Sequence, residues 1–356
     1  MSSEGSSDTG VRDWLNELRE AFAHAAEEAG GVEERRIQVG GIPGRLRCAG
    51  TTQRALIGPF EHLERDGLGA SDFDICLFDS ASTGISPPGF PWPLPLAEAG
   101  IVPFVRVAAG DVCLVRDVVG GTTIAVDRAA AEVVFYAPDT AASGLLERAA
   151  LLRDAVQMLL APRRWLIHAA AVGSGEGGAL VVGASGSGKS TLALACALSG
   201  MGIAGDDYVV LEPGSPPLAH AWNSTVKLTR AGVKLLSLDG ERTDGWRFQE
   251  TVEGPAKAVM GVEEVVPGSL RDAVPVTTLI APRLSDRRAP RLTKVSAGTA
   301  MRALAPSTAL QSRVVVEGLL EALGGLVRSV CAFELDLCRD VTANADAVAR
   351  AVDSAA

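Results

Sequence analysis

Gly183-Ala184-Ser185-Gly186-Ser187-Gly188-Lys189-Ser190 decides how the rest of this chain is read. It fits the pattern G-x-x-x-x-G-K-[S/T]. Glycines let the backbone curl so that successive N–H groups point inward, towards phosphate oxygens. The helix expected to begin near Ser190 adds the partial positive charge of its N-terminus. In this chemistry Lys189 reaches the β- and γ-phosphates, the Ser190 hydroxyl ligates Mg²⁺, and Thr191 follows at the helix start. The flanks agree: an apolar strand, Ala179–Val182, runs in, and an Ala/Leu-rich helix, Ser190–Ser199, runs out. The loop Gly183–Thr191 is therefore expected to bind a nucleoside triphosphate with Mg²⁺.

Sixteen residues beyond Ser190 comes Gly205-Asp206-Asp207-Tyr208. Mg²⁺ needs a carboxylate besides the hydroxyl, and phosphoryl transfer to an alcohol needs a base. One helix and one short strand lie between loop and acids, which returns the aspartates to the strand ends beside the loop. Two adjacent carboxylates can divide those tasks. His168 lies in an apolar strand, Trp165–Val172, that leads through the turn Gly173–Gly178 into the strand carrying the loop. It reads either as a core histidine or as one facing the triphosphate.

These residues together resemble the HPr kinase/phosphorylase family: His168-Ala-Ala-Ala-Val172, a Gly-rich turn, Gly183–Thr191, and Gly205-Asp-Asp-Tyr-Val-Val-Leu211. The match is closer to bacterial relatives encoded with peptide-modification systems, such as lasso-peptide precursor kinases. Those relatives are similar in an N-terminal stretch too, like Phe73-Asp-Ile-Cys-Leu-Phe-Asp79 with a proline-rich loop after it. The resemblance implies an α/β fold related to phosphoenolpyruvate carboxykinase, a mixed central sheet carrying the loop, preceded by a smaller α+β domain. It implies transfer of the γ-phosphate of ATP to a serine or threonine hydroxyl of a peptide or protein. Carried over by position, Ser190 and one aspartate hold the metal and the other aspartate is the base. Asp206 is favoured as base, leaving Asp207 as metal ligand, with His168 nearby. Lys227 and Lys257 fall where related kinases place basic residues that contact phosphate or substrate. HPr-specific enzymes carry a glutamate where Thr191 stands, so HPr itself is not implied as acceptor. The resemblance admits a homo-oligomer.

Two other classes compete. A P-loop ATPase or GTPase switch would need an apolar strand ending in one metal-binding aspartate, plus a residue to position water. A non-catalytic scaffold would not need Lys189, Ser190 and both acids intact. An acceptor that is a small hydroxyl compound remains a variant of the kinase reading.

The composition fits this picture. The 356 residues carry a net charge of −10 with no long basic tract, which argues against nucleic acid as a partner. Five lysines stand against 28 arginines, so a lysine in a motif is informative. The six cysteines have no C-x-x-C spacing and are expected to be reduced core residues. Met1–Gly10 lacks a signal-peptide pattern, and no apolar run reaches membrane-spanning length. A cytoplasmic protein is expected.

Periodicity gives a coarse map. Residues 1–10 read as a disordered tail, 11–142 as the N-terminal α+β domain, and 143–356 as the catalytic domain. The expected helices are 11–29, 51–64, 144–160, 307–326 and 344–352. Strands 37–39, 45–48, 73–78, 102–107, 112–116, 122–126 and 133–136 form the first domain, the last four as an antiparallel meander. Strands 274–282 and 291–295 are expected to pair as a hairpin, with a basic cluster at Arg283, Arg287, Arg288 and Arg291.

Overall fold

The computed structural model describes residues 8–51, 56, 58–94, 104–139, 145–175, 177–238, 246, 248–249, 255–309 and 316–355. The chain divides into two compact units. One holds residues 1–38 and 42–161, the other 39–41 and 162–356. The division falls at Ala161/Pro162, later than the boundary expected near 142. The helix Leu145–Leu160 packs on strands of the first unit, and proline then ends it.

The first unit is built on a seven-stranded sheet, β1-β2-β3-β7-β6-β5-β4. Its strands are β1 (Glu33–Val39), β2 (Ile42–Ala49), β3 (Phe73–Asp79), β4 (Phe104–Ala109), β5 (Val112–Asp117), β6 (Thr123–Asp127) and β7 (Glu132–Ala137). β2, β3 and β7 run parallel, and β4 to β7 form the expected meander. The helix Asp8–Glu28 lays Val11, Trp14, Leu15, Leu18 and Phe22 onto this sheet, against Phe78, Leu114 and Val134. The helix includes residues 8–10, which were expected to belong to the tail; residues 1–7 lie outside the described residues. Of the helix expected at 51–64, Leu56 is helical and Gly58–Leu63 form a short 3-10 turn, while 52–55 and 57 lie outside the described residues.

The second unit contains three sheets. The six-stranded sheet runs β11-β9-β10-β18-β20-β19. It comprises β9 (Ala169–Ser174), β10 (Gly177–Val182), β11 (Gly202–Gly205), β18 (Thr278–Arg287), β19 (Arg291–Lys294) and β20 (Cys331–Cys338). β10, β18 and β20 are parallel; β9, β11 and β19 are antiparallel to their neighbours. It is thus a mixed sheet in an α/β unit. Both faces are covered, which is why its central strands read as unbroken apolar runs. Ala179 and Val181 face the helices Lys189–Leu198 and Val341–Asp353, while Leu180 and Val182 face the helices Ala297–Ala309 and Leu319–Ser329.

A four-stranded antiparallel sheet runs β17-β13-β12-β8, from β8 (Trp165–Ile167), β12 (Val209–Glu212), β13 (Leu218–Ala221) and β17 (Ala273–Pro275). A three-stranded one runs β14-β16-β15, from β14 (Thr225–Thr229), β15 (Phe248–Gln249) and β16 (Lys257–Gly261). The expected strand Trp165–Val172 is therefore two strands in two sheets, broken at His168. The expected hairpin of β18 with β19 does not form, because β20 inserts between them and pairs with both. The basic cluster there is partly neutralised: Arg283 lies 3.3 Å from Glu334 and 3.9 Å from Asp336 on β20. Helix 307–326 is likewise two helices, Ala297–Ala309 and Leu319–Ser329. Among the described residues no helix is long and apolar enough to cross a membrane.

The hairpin β9–β10 that delivers the glycine-rich loop is held close to β17 by two facing glycines, Gly173 and Gly178. A Cβ on Gly178 would lie 2.2 Å from Val274 Cγ1 and 2.8 Å from the carbonyl oxygens of Pro275 and Val172. Backbone cannot yield as a side-chain tip can. Gly178→Ala is expected to cost about 1–3 kcal/mol in urea unfolding. Gly298→Ala, on an exposed helix position, should stay within about 0.5 kcal/mol of wild type or gain slightly.

Candidate active site

The loop 183–188 leaves the carboxyl end of β10 and enters the helix Lys189–Leu198. Gly183, Gly186 and Gly188 take φ of 137°, 80° and 98°, values that side-chain-bearing residues rarely adopt. The curl that the glycine spacing called for is present. Inside it Lys189 is buried, and its Nζ donates to the carbonyls of Gly183 at 2.7 Å and Ala184 at 3.1 Å. Burial pushes this ammonium down from the ordinary lysine range, while the carboxylates of Asp207 and Asp206 work against that push.

Topology brings the acids and the histidine to the loop. β9 pairs with β11 in one sheet, and β8 pairs with β12 in another. The chain thus changes sheets twice at one level, at His168 between β8 and β9 and at Asp206–Tyr208 between β11 and β12. His168 is out of register with either ladder, and its backbone N–H donates instead to Thr308 Oγ1 at 3.2 Å. Its buried ring donates from Nε2 to Asp207 Oδ1 at 2.9 Å, which fixes the tautomer, and lies 5.2 Å from the Tyr208 ring. At the other change, Tyr208 N–H donates to the Asp206 carbonyl at 2.8 Å with Asp207 at φ 72°. That is a three-residue turn with a left-handed centre, a strained conformation of the kind found at functional sites.

The two aspartates differ. Asp206 is sealed in: Oδ2 accepts the Lys227 N–H at 3.1 Å, and buried Oδ1 has no hydrogen-bond partner among the described residues. Burial, with the Asp207 charge added, pushes Asp206 up from the usual carboxylate range; the Lys227 amide and the Ser190 hydroxyl offset part of this. Asp207 faces the cleft. Burial would raise it as well, but Lys227 Nζ at 2.6 Å from Oδ2, together with His168, outweighs burial and holds it well below its usual range.

Lys227 and Lys257 reach the same cleft for a reason of strand periodicity. Val226, Leu228, Ala258 and Met260 turn inward to the core, so Lys227, Thr229 and Lys257 share the opposite face of the β14–β16 pair. Lys257 pairs with Thr229, two positions from Lys227. The cleft, about 430 Å³, is lined by Lys189, Ser190, His168, Asp207, Lys227 and Lys257 among others. It gathers three of the five lysines in the chain. Gly183, Ala184 and Ser187 do not line it, whereas Ser185, Gly186, Gly188 and Thr191 do. Sequence reading missed the cleft residues Leu228, Thr229, Ala231, Gly232, Leu235, Pro255 and Leu284, which carry no motif; the exposure of Leu235 and Leu284 appears only in the fold.

The donor set fits a hard, oxygen-seeking cation: a serine hydroxyl beside a buried carboxyl that has an unpartnered oxygen. Among the described residues no group of three or more His, Cys, Asp or Glu side chains is placed to hold a metal. Phosphate oxygens and water would complete the shell, as Mg²⁺ prefers.

No protein-family model matches the sequence. No curated protein matches it. Among solved structures the chain is similar to an HPr(Ser) kinase/phosphatase from Coxiella burnetii, at 12% identity and a TM-score of 0.29, over 52% of this chain and 93% of that one. A likeness so slight carries no argument.

The Lys227–Asp207 pair makes a pH-dependent contribution. A carboxyl whose folded pKa is depressed stabilises above its unfolded pKa, and that stability is lost as pH falls through the folded value. Without nucleotide or metal, Lys227→Met should cost about 1–3 kcal/mol at pH 7. The gap to wild type, followed by thermal unfolding, should close as pH drops below about 4.

Proposed function

We propose that the second unit is a kinase that transfers the γ-phosphate of ATP to a serine or threonine hydroxyl of a peptide or protein, on a P-loop fold of the HPr-kinase kind. One observation carries the reading: a cleft-facing carboxylate, Asp207, paired with Lys227 at 2.6 Å, lines the same cleft as a glycine-rich loop at a helix N-terminus. A nucleotide hydrolase would use the same carboxylate to orient water, so label in a peptide, rather than free phosphate alone, is what distinguishes the kinase. An alcohol acceptor needs somewhere to leave its proton.

The backbone amides of the loop and the ammonium of Lys189 bind the triphosphate tail. Ser190 and Asp206 would hold Mg²⁺, which would supply charge neutralisation to the triphosphate. This exchanges the roles expected from sequence. Asp206 is buried beside Ser190 and does not line the cleft, whereas Asp207 does. Asp207 is the base in this reading. Its partner Lys227 transfers to the terminal phosphate as the nucleotide enters, which frees Oδ2. The acceptor oxygen then bonds to the γ-phosphorus, the bond from that phosphorus to the β,γ-bridging oxygen breaks, and the acceptor proton passes to Asp207. His168 keeps Asp207 oriented through Oδ1. Lys257 adds positive charge where negative charge concentrates.

The acceptor is proposed as a peptide or protein partner. Its recognition is assigned to the first unit and to the segments within 212–265, with no role for nucleic acid or membrane. The test uses γ-labelled ATP, Mg²⁺ and candidate peptides. Lys189→Met should abolish labelling, and unimpaired labelling by that variant would refute the site. Asp207→Asn should keep nucleotide affinity and lose about 10²–10⁴ in transfer rate. Asp206→Asn should instead weaken Mg²⁺-dependent nucleotide binding. The reverse pattern would restore the roles read from sequence.

A further inference from the structure

The parallel strands β10, β18 and β20 end on one side of their sheet, and ligands of such sheets sit outside the carboxyl ends. The phosphate loop leaves β10. On one flank of β10, through β9 and β11, lie His168 and the aspartates. On its other flank lie the ends of β18 and β20. If the metal-binding, γ-phosphate end of a triphosphate points to the aspartates, the nucleoside end points to β18 and β20.

At that place an apolar slot adjoins the phosphate cleft. The two share Gly188, Thr191, Leu235 and Leu284, and the slot continues over Leu337 and Val341. Leu284 is 72% exposed and Leu235 44% exposed, unusual for leucines that flank a cleft. The loop is pressed against these side chains: a Cβ on Gly188 would lie 2.9 Å from Leu337 Cδ1 and 3.7 Å from Leu284 Cδ2.

We propose that this slot seats the base of the nucleoside triphosphate by apolar contact, without reading its polar edge, so that ATP and GTP bind alike. The inference rests on the triphosphate reading above and adds base selectivity to it. Adenine presents a donor at position 6 and an acceptor at N1; guanine presents the opposite pair. Strong discrimination needs a buried polar group left unpaired by the wrong base. The polar side chain of the slot, Asn344, and the Leu337 carbonyl are already engaged. Asn344 Oδ1 accepts the Cys338 N–H at 3.0 Å, and its Nδ2 donates to the Cys338 carbonyl at 2.9 Å. The Leu337 carbonyl accepts Ser285 Oγ at 2.7 Å. Thr191 adds one hydroxyl, which rotates to donate or accept and so favours neither purine.

Competition against a fluorescent adenine nucleotide, with Mg²⁺, tests this on the full chain. ATP and GTP should have dissociation constants within about threefold, and inorganic tripolyphosphate should bind about tenfold or more weakly. Leu284→Ser, an exposed change that the fold tolerates, should weaken both nucleotides about equally and leave tripolyphosphate unchanged. A preference for ATP above about thirtyfold, or unchanged nucleotide binding in Leu284→Ser, overturns the inference and leaves the phosphate loop standing. Failure of tripolyphosphate and nucleotides alike to bind would instead remove the triphosphate reading on which it rests.

Discussion

Two neighbouring pairs of strands change sheets at the same level, and the site depends on that constraint. β8 and β12 are partners in one sheet; β9 and β11 are partners in another. The links between them must therefore lie side by side. One link is His168 alone, the other is Asp206–Tyr208. Residues 39 positions apart meet at 2.9 Å because both ladders fix the register on either side of them. The backbone of Asp207 is held left-handed by this arrangement, a strain that the bonds to His168 and Lys227 offset.

The electrostatics follow from the same enclosure. One carboxyl and three ammonium groups line a half-open cleft, and a second carboxyl, Asp206, lies buried behind it, where an unpaired charge is costly. Without ligand the charges settle locally. Lys227 neutralises Asp207, Lys189 turns back onto its own loop carbonyls, and Asp206 is pushed towards its neutral form. In the proposed reaction a triphosphate and a dication would give each of these groups a new partner, and the pairing with Lys227 would keep Asp207 capped until nucleotide enters.

Some of this was legible in the sequence and some was not, for physical reasons. The curl of the glycine-rich loop was, because it demands glycines at fixed spacing. The aspartate pair was, because its distance from Ser190 spans one helix and one strand. Lys227 and Lys257 stood out through the scarcity of lysine, and only the alternation of β14 and β16 places them on the cleft face. His168 read as part of one continuous strand, since nothing in Ala-Ala-Ala-Val marks a change of sheet. The pairing of β18 with β19 read as a hairpin because local sequence cannot reveal that β20, some forty residues on, inserts between them. Leu235 and Leu284 were silent, since an exposed leucine is defined by its surroundings.

A structure of the protein with Mg²⁺ and a non-hydrolysable ATP analogue tests the central claim most directly. The account predicts phosphate oxygens hydrogen-bonded to the amides of the loop, with Lys227 Nζ moved from Asp207 to the terminal phosphate. A nucleotide bound elsewhere, or an empty loop with the Lys227–Asp207 pair unbroken, would contradict it.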